Sequence, residues 1–243
     1  MSTTGFQFVP ARLNVVAANY ANFAGPWPEE PGIRLSVIVS AEDYLVTGVW
    51  TNTEHSDLYT LTDDTGRDLL ELGGGASAVG AATDGQGALF EIQCMVPPTP
   101  TASKISADGQ LLVSTASGTE THKSAVVSLQ VGSKATVADF EFNVASVESS
   151  EYDDGKEIEF KRSTTEQRMR GVSQIRFEDG AGNQLEVEHS TSSSHGIDGD
   201  LEVTDRFLFP TESDAFIIVV ELWVDRVETH VEYALSCKIG CGT

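Results

Sequence analysis

Residues 140–144 read Phe-Glu-Phe-Asn-Val, and this alternation of apolar and polar side chains decides the fold. The same alternation occurs at 158–160, 175–177 and 185–188, and the chain shows it first at 6–8. A period of two is typical of a strand that buries one face, whereas no long window of this chain has the 3.6-residue period of a helix. The alternation therefore predicts an all-β protein.

Turn-forming residues separate the alternating stretches. Asp63–Gly66 and Asp179–Gly182 each place a glycine three residues after an aspartate. We predict that each aspartate caps its own turn and that each glycine takes a positive φ. Aspartate side chains commonly accept hydrogen bonds from the backbone of their own turn, and glycine adopts a positive φ without steric cost. A pair of cation sites at the two turns is the alternative. Many short strands separated by such turns favour antiparallel sandwiches or barrels.

The two halves of the chain share an internal repeat. At an offset of 108 residues, the Glu-Thr-His sequence at 120–122 recurs at 228–230. The same offset places Val127 on Leu235, so an apolar position is kept as well. A repeat of this length indicates that one folded unit is present twice.

Other blocks of the repeat match at different offsets. Residues 61–69 match 177–185 at an offset of 116. Both stretches begin with an apolar residue, followed by an aspartate two positions later, a glycine three positions after the aspartate and a leucine three positions after the glycine. Upstream, Gly-Val at 48–49 lies on Gly-Val at 171–172. The blocks keep the same order in both halves. The offset changes where loops are expected, and insertions there cost little closure entropy.

The repeat predicts two homologous antiparallel β-sandwich domains in tandem. We expect the first at residues 1–133, with a Pro-rich insertion at 25–32, and the second at 134–243. In its pattern of strands and turns, the chain resembles immunoglobulin-like and fibronectin-like sandwiches. The Cys…Trp…Cys arrangement of antibody domains is absent. The resemblance implies a sandwich fold and carries no functional residues with it.

Composition excludes several classes of protein. The 243 residues carry 37 acidic and 15 basic side chains, which gives a net charge of −22. Such a charge repels phosphate, so we expect no nucleic-acid partner. The longest apolar run, 216–224, contains Glu221 and is too short for a membrane helix, so we expect no membrane insertion. The absence of a signal-peptide pattern and the three cysteines favour a cytoplasmic location with reduced thiols.

Acidic residues near position 200 form a candidate calcium site. Asp198, Asp200, Glu202 and Asp205 offer the carboxylate oxygens that calcium prefers. The EF-hand pattern fails, because Phe209 stands where its final glutamate belongs. Acidic clustering that merely follows from the overall charge is the alternative. Apart from this weak Ca²⁺ site, we expect no cofactor.

Trp27 is a candidate contact residue for a protein partner or for self-association. It lies between prolines within residues 25–32. A rigid aromatic side chain loses little entropy on binding and is a common anchor in interfaces. The alternative is that Trp27 covers one end of its own domain.

The motif search favours a non-enzymatic function. Gly73–Gly75 lacks the Lys-Ser/Thr of a phosphate-binding loop, no Gly-x-Ser-x-Gly occurs, and Cys237 and Cys241 do not have redox spacing. The leading hypothesis is a structural or protein-interaction module built from duplicated Ig-like domains, as part of an assembly. A calcium-responsive binding module and a hydrolase acting on a neutral substrate are the alternatives.

Overall fold

The protein is composed of antiparallel β-sheets, as the alternation predicted. Strand pairs are antiparallel throughout the described residues, and the single helix found there has five residues. No helix in this part of the chain is long and apolar enough to cross a membrane. The computed structural model describes residues 5–16, 31–50, 58–82, 84–150, 155–197 and 200–239.

The chain divides into two compact units. The first unit comprises residues 1–118 together with 225–243, and the second comprises 119–224. This division differs from the predicted boundary between residues 133 and 134. The reason is strand pairing, because the C-terminal strand pairs inside the first unit and the strands after residue 118 pair inside the second.

The first unit contains two sheets. One sheet has the order β1 (Phe6–Val16), β2 (Gly32–Ala41), β6 (Ala88–Cys94), β5 (Gly74–Ala81). The other has the order β17 (Val227–Lys238), β7 (Lys104–Ala116), β3 (Leu45–Trp50), and β4 (Leu58–Asp63) also pairs with β7.

Both sheets of the first unit contribute to one hydrophobic core. In β2 the alternation buries Leu35 and Val37 and leaves Arg34 exposed. In β17 it buries Tyr233, whose ring lies 5.3 Å from that of Phe90 in β6. Each such side chain contributes about 1.5–3 kcal/mol by leaving water, so the period-two pattern determines which face of each strand packs inward.

The second unit also contains two sheets. The larger has the order β10 (Lys134–Val137), β11 (Phe140–Ser149), β12 (Gly155–Thr165), β15 (Asp200–Pro210), β14 (Glu188–Ile197). The smaller has the order β13 (Val172–Glu178), β16 (Ala215–Val224), β8 (Gly118–Lys123), and β9 (Val127–Ser128) also pairs with β16.

Phenylalanine side chains form the core of the second unit. Phe160 in β12 is stacked on Phe177 of β13 at a centroid distance of 5.6 Å and meets Phe216 of β16 edge to face at 5.5 Å. After β12 the chain forms α1 (Glu166–Arg170), which Thr165 caps by accepting a hydrogen bond from the backbone N–H of Arg168. The sequence analysis did not predict this single helical turn.

Candidate functional site

Strand β5 is the last strand of its sheet in the first unit, and β3 of the other sheet lies close to it. Its backbone pairs with β6 on one side only, so alternate N–H and C=O groups point outward on the other side. No backbone hydrogen bond joins that outer side to another strand in the described part of the chain. Residues 72–83, which include β5, carry no charged side chain. Unpaired strand edges of this kind are templates for adding another strand.

Small side chains make this edge accessible. Gly75 has open space where a Cβ would stand, whereas a Cβ on Gly74 would come within 2.7 Å of the Gln93 carbonyl oxygen. A bulge between Ala78 and Gly80 interrupts the pairing with β6. Bulges twist an edge away from a potential partner, so the regular part available for pairing is Gly74–Ala78.

A groove of about 800 Å³ lies beside β5. Arg34 from β2, Gln93 from β6 and Ser77 from β5 line it. Glu91 holds this network together, since its carboxylate accepts a 3.1 Å hydrogen bond from the Gln93 amide and lies 3.8 Å from the Arg34 guanidinium. The groove therefore places side-chain hydrogen-bond donors next to the free backbone of β5.

Cys94 is the one thiol among the described residues that line the groove. Burial raises the pKa of the Cys94 thiol. The sulfur donates a hydrogen bond to the Val96 carbonyl oxygen at 3.3 Å. A protonated, buried thiol is a poor nucleophile, so Cys94 acts here as a small apolar side chain.

Exposed apolar side chains flank the same edge. Leu72, which precedes β5, is 69% exposed, and Val79 within it is 55% exposed. Met95, which follows β6, is 57% exposed. Single exposed apolar residues are ordinary, but Val79 lies within β5 and Leu72 just before it, so these two stand next to the unpaired side of the strand.

The turn at Asp63 has the predicted structure. The Asp63 carboxylate accepts backbone hydrogen bonds from Thr65 at 2.9 Å, Arg67 at 3.1 Å and Thr99 at 2.8 Å, and Gly66 has a φ of 88°. Burial raises the pKa of Asp63, but a 2.7 Å hydrogen bond from the Thr65 hydroxyl, together with the backbone bonds, outweighs it and holds the pKa well below the usual range. The capping role predicted for Asp63 is confirmed.

The turn at Asp179 repeats the same bonding. Its carboxylate accepts backbone hydrogen bonds from Ala181 at 2.8 Å and Asn183 at 2.9 Å, and Gly182 has a φ of 87°. Hydrogen bonds from the side chain and backbone of Asn183 lower the pKa of Asp179. The structural reading of this turn is confirmed too, since the carboxylate is engaged by its own loop.

The residues predicted to bind calcium do not share one face. Asp198 lies outside the described residues. In β15, Asp200 and Glu202 are exposed, whereas Asp205 faces the core and is buried. An ion held by the first two would therefore not reach Asp205. No group of three or more His, Cys, Asp or Glu side chains in the described ranges is placed to hold a metal ion. Calcium binding stays a prediction.

Asp205 instead belongs to a buried ion pair. Its carboxylate lies 3.0 Å from the Arg162 guanidinium and accepts a 2.7 Å hydrogen bond from the Ser192 hydroxyl. Arg162 lies over the rings of Phe140 and Phe142, at 5.9 and 5.4 Å from their centroids. Burial lowers the pKa of Arg162, and the charge of Asp205 opposes that shift.

Sequence reasoning identified the Asp63 and Asp179 turns but missed the β5 edge. Trp27, the predicted contact residue, lies outside the described residues. The signal that could have revealed β5 is the uncharged stretch 72–83. Its glycines and alanines have no period-two pattern, so the stretch was considered only as a phosphate-binding loop.

Comparisons with known proteins identify no relative. No family model, no curated protein and no solved structure matches the chain.

Proposed function

We propose that the protein is a non-enzymatic structural module that self-associates by pairing the β5 edges of two copies. The observation that carries the proposal is the free edge itself, which exposes unpaired backbone groups along Gly74–Ala78 within an uncharged stretch. Adding a strand to such an edge satisfies its hydrogen bonds, and the flanking apolar side chains supply buried area.

The charge of the chain supports a second copy as the occupant. Each copy has a net charge of −22, so two copies repel one another over most of their surfaces. Their approach costs least along a segment that carries no charged side chain of its own, which is the case at residues 72–83. A basic partner would gain nothing from that stretch. Two β5 edges, in contrast, are self-complementary about a twofold axis when they run antiparallel.

Sedimentation over a concentration series tests the proposal. We expect reversible dimers that strengthen as salt is added, because screening weakens the repulsion between copies. Ser77→Lys places a charge within the pairing segment, where Ser77 is exposed, and should weaken self-association about tenfold or more. Ser193→Lys is the matched control, since Ser193 is exposed on β14, the edge strand of the second unit, and the change in charge is the same.

Three outcomes overturn the proposal. One is a monomer at every concentration and salt level. Another is a dimer that Ser193→Lys weakens and Ser77→Lys does not, which would place the interface on β14. The third is a dimer that weakens as salt is added, which would mean that opposite charges hold it together.

A further inference from the structure

The last strand of each sequence half is found in the unit formed mainly by the other half. We use N-terminal half for residues 1–132 and C-terminal half for 133–243, which moves the predicted boundary by one residue so that it follows Gly132. Strands β8 and β9 come from the N-terminal half, but both pair with β16 in the second unit. Strand β17 comes from the C-terminal half, but it pairs along its whole length with β7 in the first unit.

The two exchanged segments are the ones that the repeat aligns. Val127 in β9 and Leu235 in β17 are repeat partners. Val127 lies opposite Phe216 of β16, and Leu235 lies opposite Ala107 of β7. Both are buried in the core of the unit that receives them. The repeat partners Val127 and Leu235 therefore occupy equivalent buried positions, the first against β16 and the second against β7.

The register of the neighbouring strand agrees with this correspondence. Val113 of β7 lies opposite Val49, and Leu222 of β16 lies opposite Val172. Val49 and Val172 are also repeat partners. Val113 lies six residues after Ala107 on β7, and Leu222 lies six residues after Phe216 on β16. The two central strands therefore meet repeat partners on the strands beside them at the same spacing.

We propose that the two halves are copies of one sandwich that have exchanged their last strands. Each half then provides an acceptor groove, formed along β7 or β16, and a donor segment, β8–β9 or β17. The partner that each half binds is a second copy of the same half, and the chain joins the two copies covalently. Reciprocal exchange of an identical element between copies is a known route to dimers.

Packing shows what the donated strands contribute. Strand β17 buries Val231, Tyr233 and Leu235 in the first core. Strand β9 and the residue after it bury Val127 and Leu129 in the second core. Apolar side chains of this size stabilise a fold by about 1.5–3 kcal/mol each when buried, so neither unit has a complete core without the other half.

Cleavage of the full-length chain tests the exchange. A protease recognition sequence placed between Gly132 and Ser133 lies in an exposed turn where Gly132 has a φ of 85°. After cutting, we expect the two halves to elute together at the mass of the intact chain and to separate only in denaturant. Halves that elute separately as folded proteins without denaturant would overturn the proposal.

Cross-linking the cut chain identifies which strands hold the halves together. Gln110 and Glu232 are directly opposite on β7 and β17, and Ser128 and Ala215 are opposite on β9 and β16. In a Cys237→Ser, Cys241→Ser background, we expect Gln110→Cys with Glu232→Cys, and separately Ser128→Cys with Ala215→Cys, to join the halves by a disulfide.

A mismatched pair is the control. Ser236 lies opposite Ser106, four residues from Gln110 along β7, so Gln110→Cys with Ser236→Cys is separated by roughly 13 Å and should not cross-link. Cross-linking of both matched pairs and not of the mismatched pair supports the exchange. Failure of either matched pair, or equal cross-linking of the mismatched pair, overturns it.

Discussion

The carboxylate of Asp205 and the guanidinium of Arg162 lie 3.0 Å apart, and both side chains are buried among the phenylalanines of the second core. Two nitrogens of Arg162, Nε and Nη1, have no hydrogen-bond partner among the described residues. Taking two charges out of water costs several kcal/mol per ion, and their attraction repays this only with full hydrogen bonding. A gain in the free energy of unfolding therefore does not explain why the protein contains this pair.

The first unit uses apolar residues at the corresponding places. When Ser40 is aligned with Ser163, Val39 takes the place of Arg162 and Phe90 that of Asp205. Val39 and Phe90 are fully buried in the first core. The same sheet positions therefore accept apolar side chains in one unit and a charged pair in the other.

Removing one partner of the pair should be costly, and removing both should not. We expect Asp205→Ala to lower the free energy of unfolding by about 3–5 kcal/mol, because it leaves Arg162 charged and unpaired. Arg162→Met combined with Asp205→Val should recover most of that loss in denaturant titrations. Asp200→Ala, on the exposed face of the same strand, should change stability by less than about 0.5 kcal/mol. A double variant as unstable as Asp205→Ala would contradict the expectation.

Asp63 should make stability depend on pH in the acid range. Its pKa is lower in the folded chain than the ordinary value of 3.8, so the ionised form stabilises the fold. That contribution is complete above the unfolded pKa and is lost progressively as pH falls from there through the much lower folded pKa. We expect Asp63→Asn to cost about 1–3 kcal/mol at pH 7, since hydrogen bonds to a charged acceptor weaken. In urea titrations, the difference in unfolding free energy between the two proteins should shrink steadily as pH falls below 4. A difference that stays constant down to acid pH would show that the charge of Asp63 is not its source.

Gly32 should tolerate no side chain. Its φ is 148°, and a Cβ there would overlap the carbonyl oxygen of Cys94 on β6. We expect Gly32→Ala to destabilise the first unit by about 1–3 kcal/mol or more. Gly75→Ala is the control, because its Cβ would meet open space, and its melting temperature should stay near that of the parent chain. Equal melting temperatures for the two variants would mean that the backbone at Gly32 relaxes freely.

Alternation and turn chemistry were enough to predict an all-β protein with antiparallel sheets, because burying one face of a strand requires a period of two. They could not predict which strands pair. Tyr233 and Leu235 alternate as required of a strand in any sheet, and nothing local in β17 indicates that its partner is the distant β7. The place of β17 in the sequence favours pairing within the second half instead. Pairing over such a separation is decided by tertiary packing, which periodicity does not encode.

The candidate sites show the same limit. Arg162 continues the inward-facing series that begins at Ile158 and Phe160, so its burial could have been read from the parity of the strand. The charge obscured that signal, since arginine is rarely buried unless it is paired. Asp205 was grouped with its acidic neighbours because spacing in sequence does not reveal which side of a strand a carboxylate occupies.

The position of β17 after the whole second unit in the sequence has a consequence during synthesis. The second unit has all of its residues once position 224 has left the ribosome, but the first unit still waits for Val227–Lys238. The unit translated first is thus the last to be completed, against the usual order in which N-terminal domains fold first. A chain cut short before Val227 would leave the first core open, and such a product is a ready target for chaperones and proteases.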